Sequence, residues 1–257
     1  MDKYSLISSL RENLKNGIVS CGTWQQIPHP AISEILASEG YEWIAIDLEH
    51  GSIDISQLPI LFCAMEAHNV LPFARLAQAD ANHAHLALEA GAAGIIFPMI
   101  HSGEQIKDLI KQSTWPPNGK RGVGFSRSSM YGKKFDQQKI LAEKPFFVAM
   151  IESLEGLENI ASIASYSLLD AIMIGPYDLS ASIGLTGNFT NKKFKIALEK
   201  ITTNARKFNM PIGIHIIEPS QDKFNEAIKK GYNFIAYSTD ALFMIESSSK
   251  PSITKQS

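Results

Sequence analysis

Residues 70–99 read VLPFARLAQADANHAHLALEAGAAGIIFPM. They open on an apolar run, Val70–Leu76, pass into an amphipathic stretch, Asn82–Ala90, that stops at Gly91, and return to a second apolar run, Gly94–Met99. A continuous apolar run, as opposed to an alternating one, is what a parallel strand covered on both faces requires. Glycine after the last helical turn supplies the left-handed residue that closes a helix. The segment therefore predicts strand, helix, strand. The same grammar recurs outward in both directions, with apolar runs at Ile18–Trp24, Trp43–Leu48, Phe146–Ile151, Leu169–Gly175, Pro211–Ile217 and Phe234–Ser238. Helical patterns lie between them at Ala31–Glu39, Ile55–Asn69, Glu104–Gln112, Leu154–Ser165, Lys192–Phe208 and Gln221–Lys230. Eight strands alternating with helices predict an α/β protein, a (β/α)8 TIM barrel in a single domain spanning residues 1–257. Met1–Asn16 reads as an extra N-terminal helix capping the barrel bottom. An open doubly wound sheet is the alternative, but its first turn would need a GxGxxG pattern, and Cys21–Gln25 reads CGTWQ. The longest connection, Trp115–Glu143, is expected to be a lid or a contact loop.

Composition narrows the function. Of the 257 residues 45% are hydrophobic and 19% charged, so the chain is an ordinary globular one. A formal charge of -2 and no Lys/Arg run longer than two leave no footprint for nucleic acid. No apolar stretch approaches the roughly 20 residues of a membrane span, and the polar start lacks a signal-peptide core, so a cytoplasmic protein is expected. Cys21 and Cys63 sit among apolar neighbours without metal-ligand spacing and read as buried thiols.

Barrel enzymes carry their chemistry at the C-terminal ends of the strands. There the chain places Asp47-Leu48-Glu49-His50-Gly51 after the second strand, Arg75 on the third, Glu152 after the fifth and Asp178 after the sixth. Asp178 has a second reading as the cap of a helix over residues 179–183. His50 alone reads equally as structural, and Arg75 alone as an ion-pair partner. Glu152 follows six apolar positions, where an unpaired charge is costly, so something positive should meet it. Two carboxylates on adjacent strands, with the remaining positions left to substrate and water, suit Mg²⁺ or Mn²⁺. None of the predicted strands contains a lysine, which disfavours Schiff-base chemistry. The loops after strands seven and eight are not glycine-rich, which disfavours a phosphorylated substrate.

Five segments carry a resemblance: WIAIDLEHG (43–51), LEAGAAGIIFPM (88–99), GKRGVG (119–124), IESLEGL (151–157) and IGPYDLSASIG (174–184). Together they resemble the HpcH/HpaI aldolase family, metal-dependent class II pyruvate aldolases, from about Gly22 to Asp240. The resemblance implies a (β/α)8 barrel that assembles as a hexamer, with its last helix exchanged between partners. It implies Glu152 and Asp178 as ligands of a divalent cation (Mg²⁺, Mn²⁺ or Co²⁺), Arg75 at the pyruvyl keto oxygen and His50 as general base. It further implies Glu89 as the acid that orients His50, and the backbone amides of Tyr177 and Asp178 as the cradle of the pyruvate carboxylate. The expected substrates are pyruvate, or another 2-oxo acid, and an aldehyde.

Two positions depart from the family pattern. Met150 stands where many members have glutamine, which removes an amide near the pyruvate. His215 stands at a position on strand seven that is usually apolar, and reads either as a core histidine or as a donor selecting the acceptor aldehyde. Two other functions stay open on the same fold. One is a citrate- or acyl-CoA-type lyase or synthase, for which Lys120, Arg121, Arg127, Lys133 and Lys134 would be the nucleotide-binding surface. The other is a barrel that binds a 2-oxo acid without turnover.

Overall fold

The computed structural model describes residues 2–250. Eight parallel strands close into a barrel in sequence order. They are β1 (Ser20–Gln25), β2 (Trp43–Asp47), β3 (Leu71–Arg75), β4 (Gly94–Phe97), β5 (Phe146–Ile151), β6 (Ala171–Ile174), β7 (Ile212–Ile216) and β8 (Phe234–Thr239). The helices are α1 (Lys3–Lys15), α2 (Pro30–Ser38), α3 (Leu58–Ala67), α4 (Ala81–Ala90), α5 (Gly103–Ser113), α6 (Phe135–Ala142), α7 (Leu154–Glu158), α8 (Ile160–Ala164), α9 (Pro176–Ser182), α10 (Lys192–Lys207), α11 (Gln221–Lys229) and α12 (Asp240–Ser247). All eight predicted strands are present. The predicted helix over Leu154–Ser165 is instead two short ones, parted at Asn159, whose side-chain amide donates to the His101 carbonyl at 2.9 Å. Gly91 ends α4 at φ 111°, the left-handed conformation its position required.

Side chains alternate between two cores because successive strand residues face opposite sides. Outward residues such as Ile44, Ile46, Ile95 and Ile172 pack under the helices. Inward residues such as Trp43, Phe73, Phe146 and Phe234 fill the barrel, with Trp43 stacked on Phe234 at 4.5 Å and on Phe73 at 5.6 Å. Glycine is required at position 22, where a Cβ would lie 2.1 Å from the Trp43 ring. Helix α1 closes the lower end: Ile7, Leu10 and Leu14 join the inward core, and the Leu14 carbonyl accepts from the Asn233 amide at 2.9 Å. The aromatic plug leaves the last inward residues of β2 and β3, Asp47 and Arg75, above it at the upper end of the barrel.

The connection Trp115–Glu143 is not a lid over the mouth of its own barrel. It joins the end of α5 to the start of β5, at the lower end of the barrel, and it contains the helix α6. Arg127 ties it down by donating to Glu66 at 2.7 Å and to the Ala90 carbonyl at 2.9 Å.

Candidate active site

Asp47 and Arg75 are the last inward residues of two neighbouring strands, and the register sets them side by side: Trp43 faces Leu71, Ala45 faces Phe73 and Asp47 faces Arg75. The guanidinium donates from Nε to Asp47 Oδ1 at 2.9 Å and from Nη2 to Oδ2 at 2.5 Å. The Asp47 side chain has no exposed surface and that of Arg75 is 8% exposed, so the pair is dry. Oδ1 also accepts the backbone N–H of Glu49 and of His50, each at 3.1 Å, and Oδ2 accepts from the Gln26 amide at 2.9 Å. Burial pushes the Asp47 carboxyl up, but the Arg75 charge and these hydrogen bonds hold it below its ordinary value. One carboxylate thus fixes the arginine and the turn that carries His50. Trp24 completes the mount, with the guanidinium carbon 4.6 Å from its ring centre.

Glu152 enters the same mouth from the end of β5. It is 2% exposed, and its Oε2 accepts the Met99 N–H at 2.9 Å. Gly175 leaves room for it, since a Cβ there would lie 2.2 Å from Glu152 Oε1. Burial, then the charges of Glu49 and Asp178, push Glu152 up to about 7 against the Met99 hydrogen bond and Arg75. Burial likewise raises Glu49, against the pull of Arg75 and His50. Asp178 lies in the first turn of α9, whose N-cap is Gly175, so the capping reading of Asp178 does not hold. Four carboxylates, Asp47, Glu49, Glu152 and Asp178, with a single arginine among them leave uncompensated negative charge at the mouth, and a buried oxygen donor beside an exposed one suits a hard divalent cation. No set of three His, Cys, Asp or Glu among the described residues is arranged to hold an ion.

His50 stands at the rim, its side chain 56% exposed, with Nε2 4.0 Å from Glu49 Oε2. The structure does not bring Glu89 to it. Helix α4 starts at the mouth and runs away from it, so Glu89, in the last turn, lies about 12 Å farther down at 1.5 Å per residue. There its nearest cation is Arg121, at 3.9 Å. The expected His50–Glu89 hydrogen bond is therefore absent within the chain, because sequence spacing carries no helix direction.

His215 pairs with Ala236 on the inward side of β7 and meets Trp24 edge-on at 5.7 Å. Its ring is half-buried, and its Nε2 is buried without a hydrogen-bond partner. Burial, then Arg75, push it down to about 3, so the ring is neutral. Tyr177 is exposed at the start of α9. In the basic segment Arg121 is 3% exposed and Arg127 is paired to Glu66, while Lys120, Lys133 and Lys134 are exposed. Cys21 is half-buried and Cys63 exposed, so the second thiol departs from its buried reading.

Asp47, Gln26 and Trp24 were assigned no role from the sequence, although the parity of β2 and β3 puts Asp47 and Arg75 on one side. Met99, at φ 48°, is a backbone donor that no pattern announces. With this geometry in place, comparison with known proteins adds the ancestry. A family model described as HpcH/HpaI aldolase/citrate lyase matches residues 20–247. A 4-hydroxy-2-oxovalerate aldolase of Novosphingobium aromaticivorans is 30% identical over 91% of this chain and 89% of its own. A hydroxypyruvate/pyruvate aldolase of Pseudomonas aeruginosa is 27% identical over 94% and 90%. The crystal structure of an HpcH/HpaI aldolase from Desulfitobacterium hafniense superposes with a TM-score of 0.84 at 25% identity, covering 93% of each chain.

Proposed function

The chain belongs to the HpcH/HpaI aldolase/citrate lyase family, and from that premise we propose that it is a carbon–carbon lyase, a class II aldolase joining pyruvate to an aldehyde as a 4-hydroxy-2-oxo acid, or cleaving one. The observation that carries the reading is the buried Asp47–Arg75 pair. It engages Nε and Nη2 and leaves Nη1 with only the longer Glu49 contact at 3.5 Å. Nη1 is thus a fixed positive donor for a keto oxygen, and it strengthens its contact as that oxygen gains charge on the way to the enolate. Its orientation is set before substrate arrives. Glu152 and Asp178 would hold a divalent cation, Mg²⁺, Mn²⁺ or Co²⁺, which when bound supplies a Lewis acid to the oxygens of a 2-oxo acid.

The amides of Tyr177 and Asp178, in the first turn of α9, present N–H groups for the pyruvate carboxylate. His50, exposed at the rim and held by its backbone N–H to Asp47, takes the proton from the C4 hydroxyl during cleavage and returns it in the aldol direction. His215 sits deeper, against Trp24, where it shapes the wall that the acceptor meets. Glu89 has no part in the His50 site of the same chain. The reading extends to a cytoplasmic homo-hexamer acting on small molecules, with neither nucleic acid nor membrane as partner; a light-scattering mass of six chains checks the assembly. No helix among the described residues is long and apolar enough to cross a membrane.

The test is pyruvate C3 proton exchange in deuterated water with Mg²⁺, Mn²⁺ or Co²⁺, followed by an aldehyde panel monitored by pyruvate loss. Metal-stimulated exchange together with turnover of a subset of aldehydes is expected. No exchange with any of these metals would favour a barrel that binds without turnover, and competition by CoA esters would favour the citrate-lyase side of the family.

A further inference from the structure

On the outer wall of the barrel, between α4 and α5 and sharing no residue with the acid cluster, lies a polar cavity of about 440 Å³. Its lining includes Asn82 and His85 of α4, Asp108 and Gln112 of α5, and Lys120 and Arg121 of the connection that follows. The Arg121 side chain is 1% exposed. Its guanidinium lies over the Trp115 ring, 5.6 Å from the centre, yet Nε, Nη1 and Nη2 all lack a hydrogen-bond partner among the described residues. The nearest carboxylate oxygen, Glu89 Oε1, is 3.9 Å away, beyond hydrogen-bond reach, and is itself unpartnered. Buried guanidinium groups are retained when an anion meets their fork of donors, because the desolvation cost is otherwise unrecovered. Here no acceptor among the described residues lies within hydrogen-bond reach of the fork, and Arg121 lines the cavity.

We propose that this cavity binds a tetrahedral oxyanion, inorganic phosphate or the phosphate of a small ester, with Arg121 and Lys120 as its cationic donors. The lining argues for a tetrahedral ion over a planar one. Donors come from two separate elements: the amide of Asn82 and the ring of His85 on α4, and the two cations on the connection. The α5 wall instead presents a carboxylate, Asp108, whose Oδ2 accepts from the Gln112 amide at 2.6 Å. A carboxylate ligand would fill the arginine fork in one plane and meet Asp108 as a like charge. A hydrogen phosphate offers acceptor oxygens toward the cations and one O–H for Asp108 to accept. The site requires nothing of the aldolase reading, because it shares no residue with the acid cluster.

The three tryptophans allow the two places to be told apart, since Trp24 lies under Arg75 and Trp115 under Arg121. The experiment titrates the whole chain, in a phosphate-free buffer of constant ionic strength, with inorganic phosphate, glycerol 1-phosphate and malonate, read by calorimetry and tryptophan fluorescence. Saturable binding of one phosphate per chain is expected, with the fluorescence change lost in Trp115→Phe and kept in Trp24→Phe. Arg121→Gln should weaken binding by about tenfold or more, as for a charge-assisted pair. Lys120→Glu, at an exposed position that tolerates charge reversal, should weaken it by at least about threefold and keeps the test open if the arginine variant fails to fold. Arg75→Ala should leave it unchanged. Tighter binding of glycerol 1-phosphate than of phosphate assigns the ester as the source, and the reverse assigns the free ion. The proposal is overturned if phosphate does not bind saturably, if Lys120→Glu and folded Arg121→Gln bind as the parent does, if Arg75→Ala removes the site, or if malonate binds as tightly as phosphate.

Discussion

Replacing Asp47 by asparagine changes almost no volume and removes one charge, in a place where five N–H donors converge. The amide keeps one acceptor oxygen. Its nitrogen must then point at donors, either Arg75 Nη2 and Gln26, or Arg75 Nε and the two backbone N–H groups. Arg75 stays buried with its charge uncompensated on that side, and breaking a buried pair by removing one partner costs about 3–5 kcal/mol. With a urea slope of roughly 3 kcal/mol/M for a chain of this size, the unfolding midpoint should fall by about 1–1.7 M. The pH dependence has a definite sign. The Asp47 carboxyl is depressed in the folded state, so its contribution is complete above the ordinary value of 3.8 and fades as pH falls through the lower folded value. Parent and variant should therefore differ fully at neutral pH and converge only in strong acid. Because the same carboxylate aims Arg75, the apparent KM for pyruvate should rise by about tenfold or more, the worth of a lost charge-assisted contact. The assays are urea unfolding followed by tryptophan emission, and steady-state pyruvate kinetics at saturating metal. An unchanged midpoint together with an unchanged KM would refute the view that Asp47 is the anchor of the site.

Other outcomes follow from the same geometry. Glu152→Gln should abolish metal-stimulated turnover, and undiminished activity in that variant would remove Glu152 from the metal site. In the parent, Glu152 at about 7 means that metal binding near pH 6 releases a proton and weakens by roughly tenfold per pH unit below that value, flattening above it; calorimetry in buffers of different ionisation enthalpy measures the proton count. Arg75→Ala should damage both pyruvate binding and rate, whereas His50→Ala should mainly slow proton transfer, by about 10²–10⁴; identical kinetic signatures would contradict separate roles. His215→Leu should reorder the aldehyde panel while leaving pyruvate C3 exchange intact, and the loss of the ring's hydrogen bond with the Ser238 backbone should cost about 1–3 kcal/mol of stability. A lowered midpoint with an unaltered panel would make His215 a core residue only.

Strand number, strand order and the residues at the mouth are properties of local pattern, and the sequence carries them openly. Apolar runs such as Gly94–Phe97 and stops such as Gly91 are written in consecutive residues, and the rule that consecutive strands of a barrel pair in order needs nothing more. Arg75, Glu152 and Asp178 were legible for the same reason, each lying at or just beyond the end of a recognisable strand. What depends on direction and register was not. Asp47 and Arg75 are 28 residues apart, and only the alignment of β2 with β3 makes one the anchor of the other. Glu89 and His50 are parted because α4 descends from the mouth, and a motif spacing has no vector. Arg121 looks from its neighbours like one more surface cation. Packing against Trp115, in the space between two helices, is what buries it without a hydrogen-bond partner among the described residues and sets it apart from an ordinary surface cation.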